Sequence, residues 1–130
     1  MAGFKYNMTK GQIEDTVTKK AIKYYLDTLG VGPTSAKTYI VEDMIVIRMK
    51  GNLLPIEKKL LQNAKGVELV KNLRRNLLET NINEIIEIIK NITGQNIISA
   101  HRDLSTRSGE IIYIFILDKN YQKQLELENS

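Results

Sequence analysis

The feature that most constrains this chain is a run near its C-terminal end, Ile111-Ile112-Tyr113-Ile114-Phe115-Ile116-Leu117. Successive side chains of a strand point to opposite faces, so a run that is apolar at every position presents apolar surface on both sides. A sheet tolerates that where both faces are covered, not at a solvated edge. Met44-Ile45-Val46-Ile47 has the same character. These two segments are therefore expected as central strands, with the alternating, more polar runs 36–41 and 97–104 nearer the edges. One face of such a sheet is expected under the chain's own helices. The other needs either a second helix layer or a second subunit.

The remaining elements follow from local signals. Thr9-Lys10-Gly11-Gln12 reads as a capping box,. It opens an amphipathic helix that carries Ile13, Val17, Ala21 and Tyr24 and ends at Gly30,. Strands over 36–41 and 44–50 are joined at Glu42-Asp43, a hairpin turn whose lack of Gly leaves its geometry open,. Pro55 suits the first turn of a short helix bearing Ile56, Leu60 and Leu61, with Gly66 read as its stop,. A long helical stretch over 67–93 carries Leu69, Leu73, Leu77, Ile85, Ile88, Ile89 and Ile92 and ends at Gly94,. At roughly 40 Å it exceeds the diameter of a domain this size. Either it breaks at Thr80-Asn81-Ile82-Asn83, where poor helix formers cluster, or its end projects and packs on another subunit,. Strands over 97–104 and 111–117 close the chain around a turn at Arg107-Ser108-Gly109-Glu110. Residues 1–8 and 119–130 are read as loose tails, the second either fraying or forming a loose helical turn. The expected fold is α+β: a four-stranded, mostly antiparallel sheet of two β-hairpins packed by helices, in the order αββααββ, within a single domain spanning residues 1–130.

Composition narrows the chemistry. A chain of 130 residues with 42% hydrophobic and 26% charged residues is long enough to bury an ordinary globular core,. Zero Cys excludes disulfides, thiolate nucleophiles and Cys-based metal centres, and a single His leaves little for imidazole sites,. No P-loop or EF-hand pattern occurs, and Gly30-Val31-Gly32 follows a helix, not the strand that a dinucleotide fingerprint requires,. No cofactor or metal is expected. The net charge of +4 is spread along the chain, so a nucleic-acid partner is the lesser reading. No window approaches about 18 uncharged apolar residues and the first ten residues resemble no signal peptide; a cytoplasmic chain without a membrane span is expected.

Five residues stand out as candidates for interaction or ligand binding: Arg48, Arg74, Arg75, His101 and Asp103. His101, Asp103 and Ser105 alternate along one strand face, yet same-face neighbours sit about 7 Å apart, too far for a direct catalytic triad. They read as a polar edge-strand face. Arg74-Arg75 offers guanidinium forks for a phosphate or carboxylate, or faces solvent beside Glu79. Arg48, on a central strand, must be paired if buried, with Glu42, Asp43 or an acidic group of another subunit as candidates. No catalytic residue is assigned.

Four segments in order carry a resemblance: Thr38-Tyr39-Ile40-Val41-Glu42-Asp43-Met44-Ile45-Val46-Ile47-Arg48-Met49-Lys50-Gly51, then Leu54-Pro55-Ile56-Glu57, Val70-Lys71-Asn72-Leu73-Arg74-Arg75, and His101-Arg102-Asp103-Leu104-Ser105-Thr106. Together they resemble the MpsC family, small bacterial proteins named for a sodium-translocating, membrane-potential-generating system, over residues 9–118. Leu54 stands where relatives tend to have Thr, which removes an N-cap. The resemblance implies a soluble accessory or regulatory role beside a membrane ion or inorganic-carbon transport system and supplies no catalytic residues. The expected function is thus a non-enzymatic protein that homo-oligomerises, as a homodimer, and engages subunits of a transport complex. Two alternatives stand beside it. One is a KH-like nucleic-acid-binding module, against which Asn63-Ala64-Lys65-Gly66 is no G-x-x-G clamp,. The other is an enzyme using His101, Asp103 and Arg48.

Overall fold

In the computed structural model, residues 8–51, 54–105 and 107–129 are described. Thr9 starts the first helix, α1 (Lys10–Leu29), as its spacing predicts: the Gln12 amide donates to Thr9 Oγ1 at 3.2 Å and the Thr9 amide donates to Gln12 Oε1 at 2.9 Å. Gly30, at φ 77°, closes it in the left-handed conformation,. The buried stripe is Ile13, Val17, Ala21 and Tyr25. It therefore continues the four-residue spacing to Tyr25, while Tyr24 is only half-buried.

Two hairpins form one antiparallel sheet. Strands β1 (Ser35–Val41) and β2 (Met44–Lys50) make the first, and β3 (Ile97–Leu104) and β4 (Ile111–Leu117) the second. Their order is β1-β2-β4-β3, so the two doubly apolar runs are central and the alternating ones lie at the edges, as the patterning requires. Glu42 takes φ 55°, which resolves the Gly-less turn: a non-Gly residue supplies the left-handed conformation at an energetic cost.

One face of the sheet is the core. Ile45, Ile47 and Met49 of β2 and Ile111, Tyr113, Phe115 and Leu117 of β4 are all at most 1% exposed there. They pack with α1, with the C-terminal part of α3 (Ala64–Thr93) through Ile85, Ile89 and Ile92, and with α4 (Tyr121–Glu128) through Tyr121 and Leu125. At about 1.5–3 kcal/mol for each large apolar side chain removed from water, this layer dominates the stability. The rings of Tyr113 and Phe115 stack at a centroid distance of 5.9 Å, and the hydroxyls of Tyr25 and Tyr113 bond each other. The edge strand β1 is guarded by α1, since the Ile40 amide donates to Glu14 Oε2 at 2.7 Å,.

Three expectations need correction. The segment 119–130, read as a fraying tail or a loose helical turn, forms α4 within residues Tyr121–Glu128, and Tyr121 and Leu125 tie it to the core. Its Gln122 brackets the strained turn by accepting from the Glu42 amide and donating its own amide to the Glu42 carbonyl. Of the other proposed tail, residues 1–7 lie outside the described residues, and Met8 packs against the core. The long helix α3 runs through 80–83 without a break, because Ile82 packs on the core and Ile85 begins its buried stripe there. Gly66 is no helix stop: it lies in the first turn of α3, where a Cβ would come within 1.6 Å of the Leu60 carbonyl oxygen. It admits the short helix α2 (Pro55–Leu60) against α3.

Candidate functional site

The N-terminal half of α3 and α2 form an arm whose interior differs from the core. Val70 and Arg74 are buried there, while Leu69 and Leu73, expected on the apolar stripe, are 52% and 47% exposed. The stripe is displaced by one residue because α2, not the sheet, covers this half. Arg74 is a carboxylate clamp, but for a group of its own chain. Its Nε donates to Glu57 Oε2 at 2.8 Å and its Nη2 to Glu57 Oε1, with both side chains 2% exposed. Glu57 also accepts from the Leu54 amide at 2.7 Å, which replaces part of the N-cap that Leu54 cannot supply. A Glu at the third helical position behind Leu-Pro was the legible signal for this role. Arg75 faces outward and donates to Asn72 Oδ1 at 3.1 Å. Glu79 pairs not with it but with Arg102, at 3.7 Å.

Arg48 is half-exposed, not buried, and its partner is neither Glu42 nor Asp43. Its Nη2 lies 2.7 Å from Glu110 Oε2, and its Nε donates to the same oxygen at 3.1 Å. That carboxylate raises the Arg48 pKa above its ordinary value. The hairpin turn before β4 brings Glu110 beside β2, a proximity invisible along the chain.

His101 and Asp103 point to the same side of β3 and are exposed. The contact recorded for the imidazole is Ser99 Oγ at 3.4 Å from Nε2, and Ser105 Oγ accepts from the Ser108 amide at 3.3 Å. No hydrogen bond links His101, Asp103 and Ser105 among the described residues, so the strand does not assemble a triad. In the turn that a KH reading would use as a backbone clamp, Gly66 lies against the Leu60 carbonyl. Lys71, Arg75, Glu79, Arg102, Asp103 and Leu104 line a cleft of about 300 Å³ between α3 and β3. It joins Arg75 and Asp103, and leaves Arg48, Arg74 and His101 apart.

The second face of the sheet carries apolar side chains that the core cluster does not take in. The helices that bury side chains against the sheet do so on the opposite face. The second face is read off in three rows across all four strands. Lys37, Arg48, Ile112 and Asp103 form the first; Tyr39, Val46, Ile114 and His101 the second; Val41, Met44, Ile116 and Ser99 the third. The central columns, on β2 and β4, are apolar except for Arg48, and the outer columns are mixed. Ile112, Ile114 and Ile116 are half-buried, and Val41 is 42% exposed. No second helix layer covers this face among the described residues, which settles half of what the apolar patterning left open.

The chain is 38% identical over 118 residues to "Uncharacterized protein YbcI" of Bacillus subtilis (strain 168), an alignment that covers 91% of this chain and 95% of that protein. No solved structure gives a significant match. Residues 9–119 match the family described as "Na+-translocating membrane potential-generating system (MpsC)", and the chain belongs to that family.

Proposed function

We propose that this protein is a non-enzymatic accessory subunit that works by docking, self-associating and engaging a membrane ion-transport system from the cytoplasmic side. The observation that carries the reading is the uncovered sheet face, on which Met44, Val46, Ile112, Ile114 and Ile116 form one apolar field. A contiguous apolar patch with a mixed rim is what protein interfaces present. The family description, a sodium-translocating, potential-generating system, supplies the class of partner. No helix among the described residues is long and apolar enough to cross a membrane, so this chain's part in such a system is assigned to contact with subunits that do cross.

The test is fractionation at native expression. The tagged chain is expected in the membrane fraction when the membrane subunits of the transport system are present, and to be released when those subunits are deleted. Identical distribution in both strains would refute the reading.

A further inference from the structure

The open sheet face is built to pair with a second copy of itself. We infer that two chains stack these faces about a two-fold axis that runs parallel to the strands, between β2 and β4. This inference rests on the docking reading above and deepens it by naming the occupant and the geometry.

The argument is charge complementarity along one row. The first row starts with Lys37 on the β1 edge and ends with Asp103 on the β3 edge. Both side chains are exposed, and among the described residues neither has an ion-pair partner within 4.0 Å. Lys37 instead lies over the Tyr39 ring at 5.6 Å. A two-fold along the strands exchanges the β1 and β3 edges and keeps each row opposite itself. Lys37 then faces Asp103 of the second copy, and Asp103 faces Lys37, so both unpaired charges are matched twice per dimer. In the same row Arg48, already paired with Glu110 of its own chain, meets Ile112. In the other rows Val46 meets Ile114, Met44 meets Ile116, Val41 meets Ser99, and the Tyr39 ring meets His101 across the interface. Sheets stacked face to face lie about 10 Å apart and rotated by about 30°, a span that a lysine and an aspartate side chain bridge.

The alternative in-plane axis, perpendicular to the strands through the second row, exchanges the first and third rows. It would set Lys37 over Val41 and Asp103 over Ser99, leaving both unpaired charges against apolar or neutral groups, while Arg48 meets an apolar side chain under either axis and keeps its own partner, Glu110. The row chemistry thus selects one axis. Size fits a reversible assembly. Four strands of seven or eight residues give a face of about 19 by 23 Å, so the flat footprint of the two copies is about 900 Å². That lies near the lower bound of about 1,000 Å² for specific interfaces, as expected of a micromolar dimer more than of an obligate one.

Sedimentation of the whole chain across the micromolar range, with charge variants, tests this. The wild type is expected as a reversible dimer weakened by salt. Lys37→Glu, which sets like charges together at both ends of the row, should weaken dimerisation by about ten-fold or more. The swap Lys37→Glu with Asp103→Lys should restore it. Because the chain has no Cys, Lys37→Cys with Asp103→Cys gives clean labelling: a short bis-maleimide should join the two positions between chains, whereas either single variant should not be joined. Circular dichroism of every variant should match the wild type, since both positions lie on the solvent face. A wild type that stays monomeric at high micromolar concentration overturns the inference while leaving docking to transport subunits standing. A dimer indifferent to Lys37→Glu, or joined by Asp103→Cys alone through β3 edges, overturns the geometry while self-association stands.

Discussion

Replacing Arg74 by Met isolates what holds α2 against α3 within the arm. In the native arm the Glu57 carboxylate accepts two guanidinium hydrogen bonds and one from the Leu54 amide, with its side chain 2% exposed. Without the guanidinium, a buried carboxylate keeps only the Leu54 amide, and breaking such a pair from one side costs about 3–5 kcal/mol. The loss should be local. Glu57, Val70 and Arg74 lie outside the main apolar cluster, and α2 makes its principal contacts with α3. Hydrogen exchange read by mass spectrometry is the assay. Peptides within 55–80 should exchange about 10²–10³-fold faster, since each 1.4 kcal/mol is a factor of ten, up to the limit set by the arm's own stability. Peptides from β2 and β4 should keep their protection. Pairing Arg74→Met with Glu57→Leu should recover most of the loss, less about 1 kcal/mol for the Leu54 amide, which loses its acceptor. Unchanged exchange in the arm would refute the assignment of a buried clamp. Equal acceleration throughout the chain would show that arm and sheet open as one unit.

Gly66→Ala should push α2 off α3 within the same arm, because its Cβ would stand 1.6 Å from the Leu60 carbonyl oxygen; wild-type exchange in α2 would sink this reading of Gly66. Tyr25→Phe and Tyr113→Phe should each cost about 1–3 kcal/mol in urea denaturation by leaving one buried hydroxyl unpartnered, whereas the double variant should be near neutral; additive losses would show that the two hydroxyls do not depend on each other. Glu42→Asn should raise stability by about 0.5–1 kcal/mol, since Asn tolerates the left-handed turn and the recorded Glu42 bonds to Gln122 use its backbone; a lower melting temperature would argue that the Glu42 side chain matters. Burial pushes the Tyr25 and Tyr121 hydroxyls up to about 12 and Tyr113 higher still. Above pH about 10 an unfolded tyrosine sheds a proton that the folded chain keeps, so stability is intact below that pH and falls as pH rises toward 12. Tyrosinate absorbance at these three positions should appear only as circular dichroism is lost, and ionisation of every tyrosine near 10 with the fold intact would contradict the burial.

Much of the architecture was written in local pattern. A strand apolar on both faces must be internal whatever surrounds it, so the central places of β2 and β4 and the edge places of β1 and β3 follow from alternation alone. Thr9, Gly30 and Gly94 marked helix ends because orphan amides and left-handed caps are satisfied within a few residues. The same run also announced that the second sheet face needs either a second helix layer or a second subunit. What sequence left undecided was every relation between distant segments. Gly66 looked like a terminator because the close approach of Leu60 depends on how α2 folds back. Arg74 and Arg48 found Glu57 and Glu110, carboxylates 17 and 62 positions away, and α4 became a helix because Tyr121 and Leu125 had a core to enter. Periodicity fixes which face of an element is apolar; only the packed structure decides what meets that face, since burial free energy depends on neighbours that the order of residues does not name.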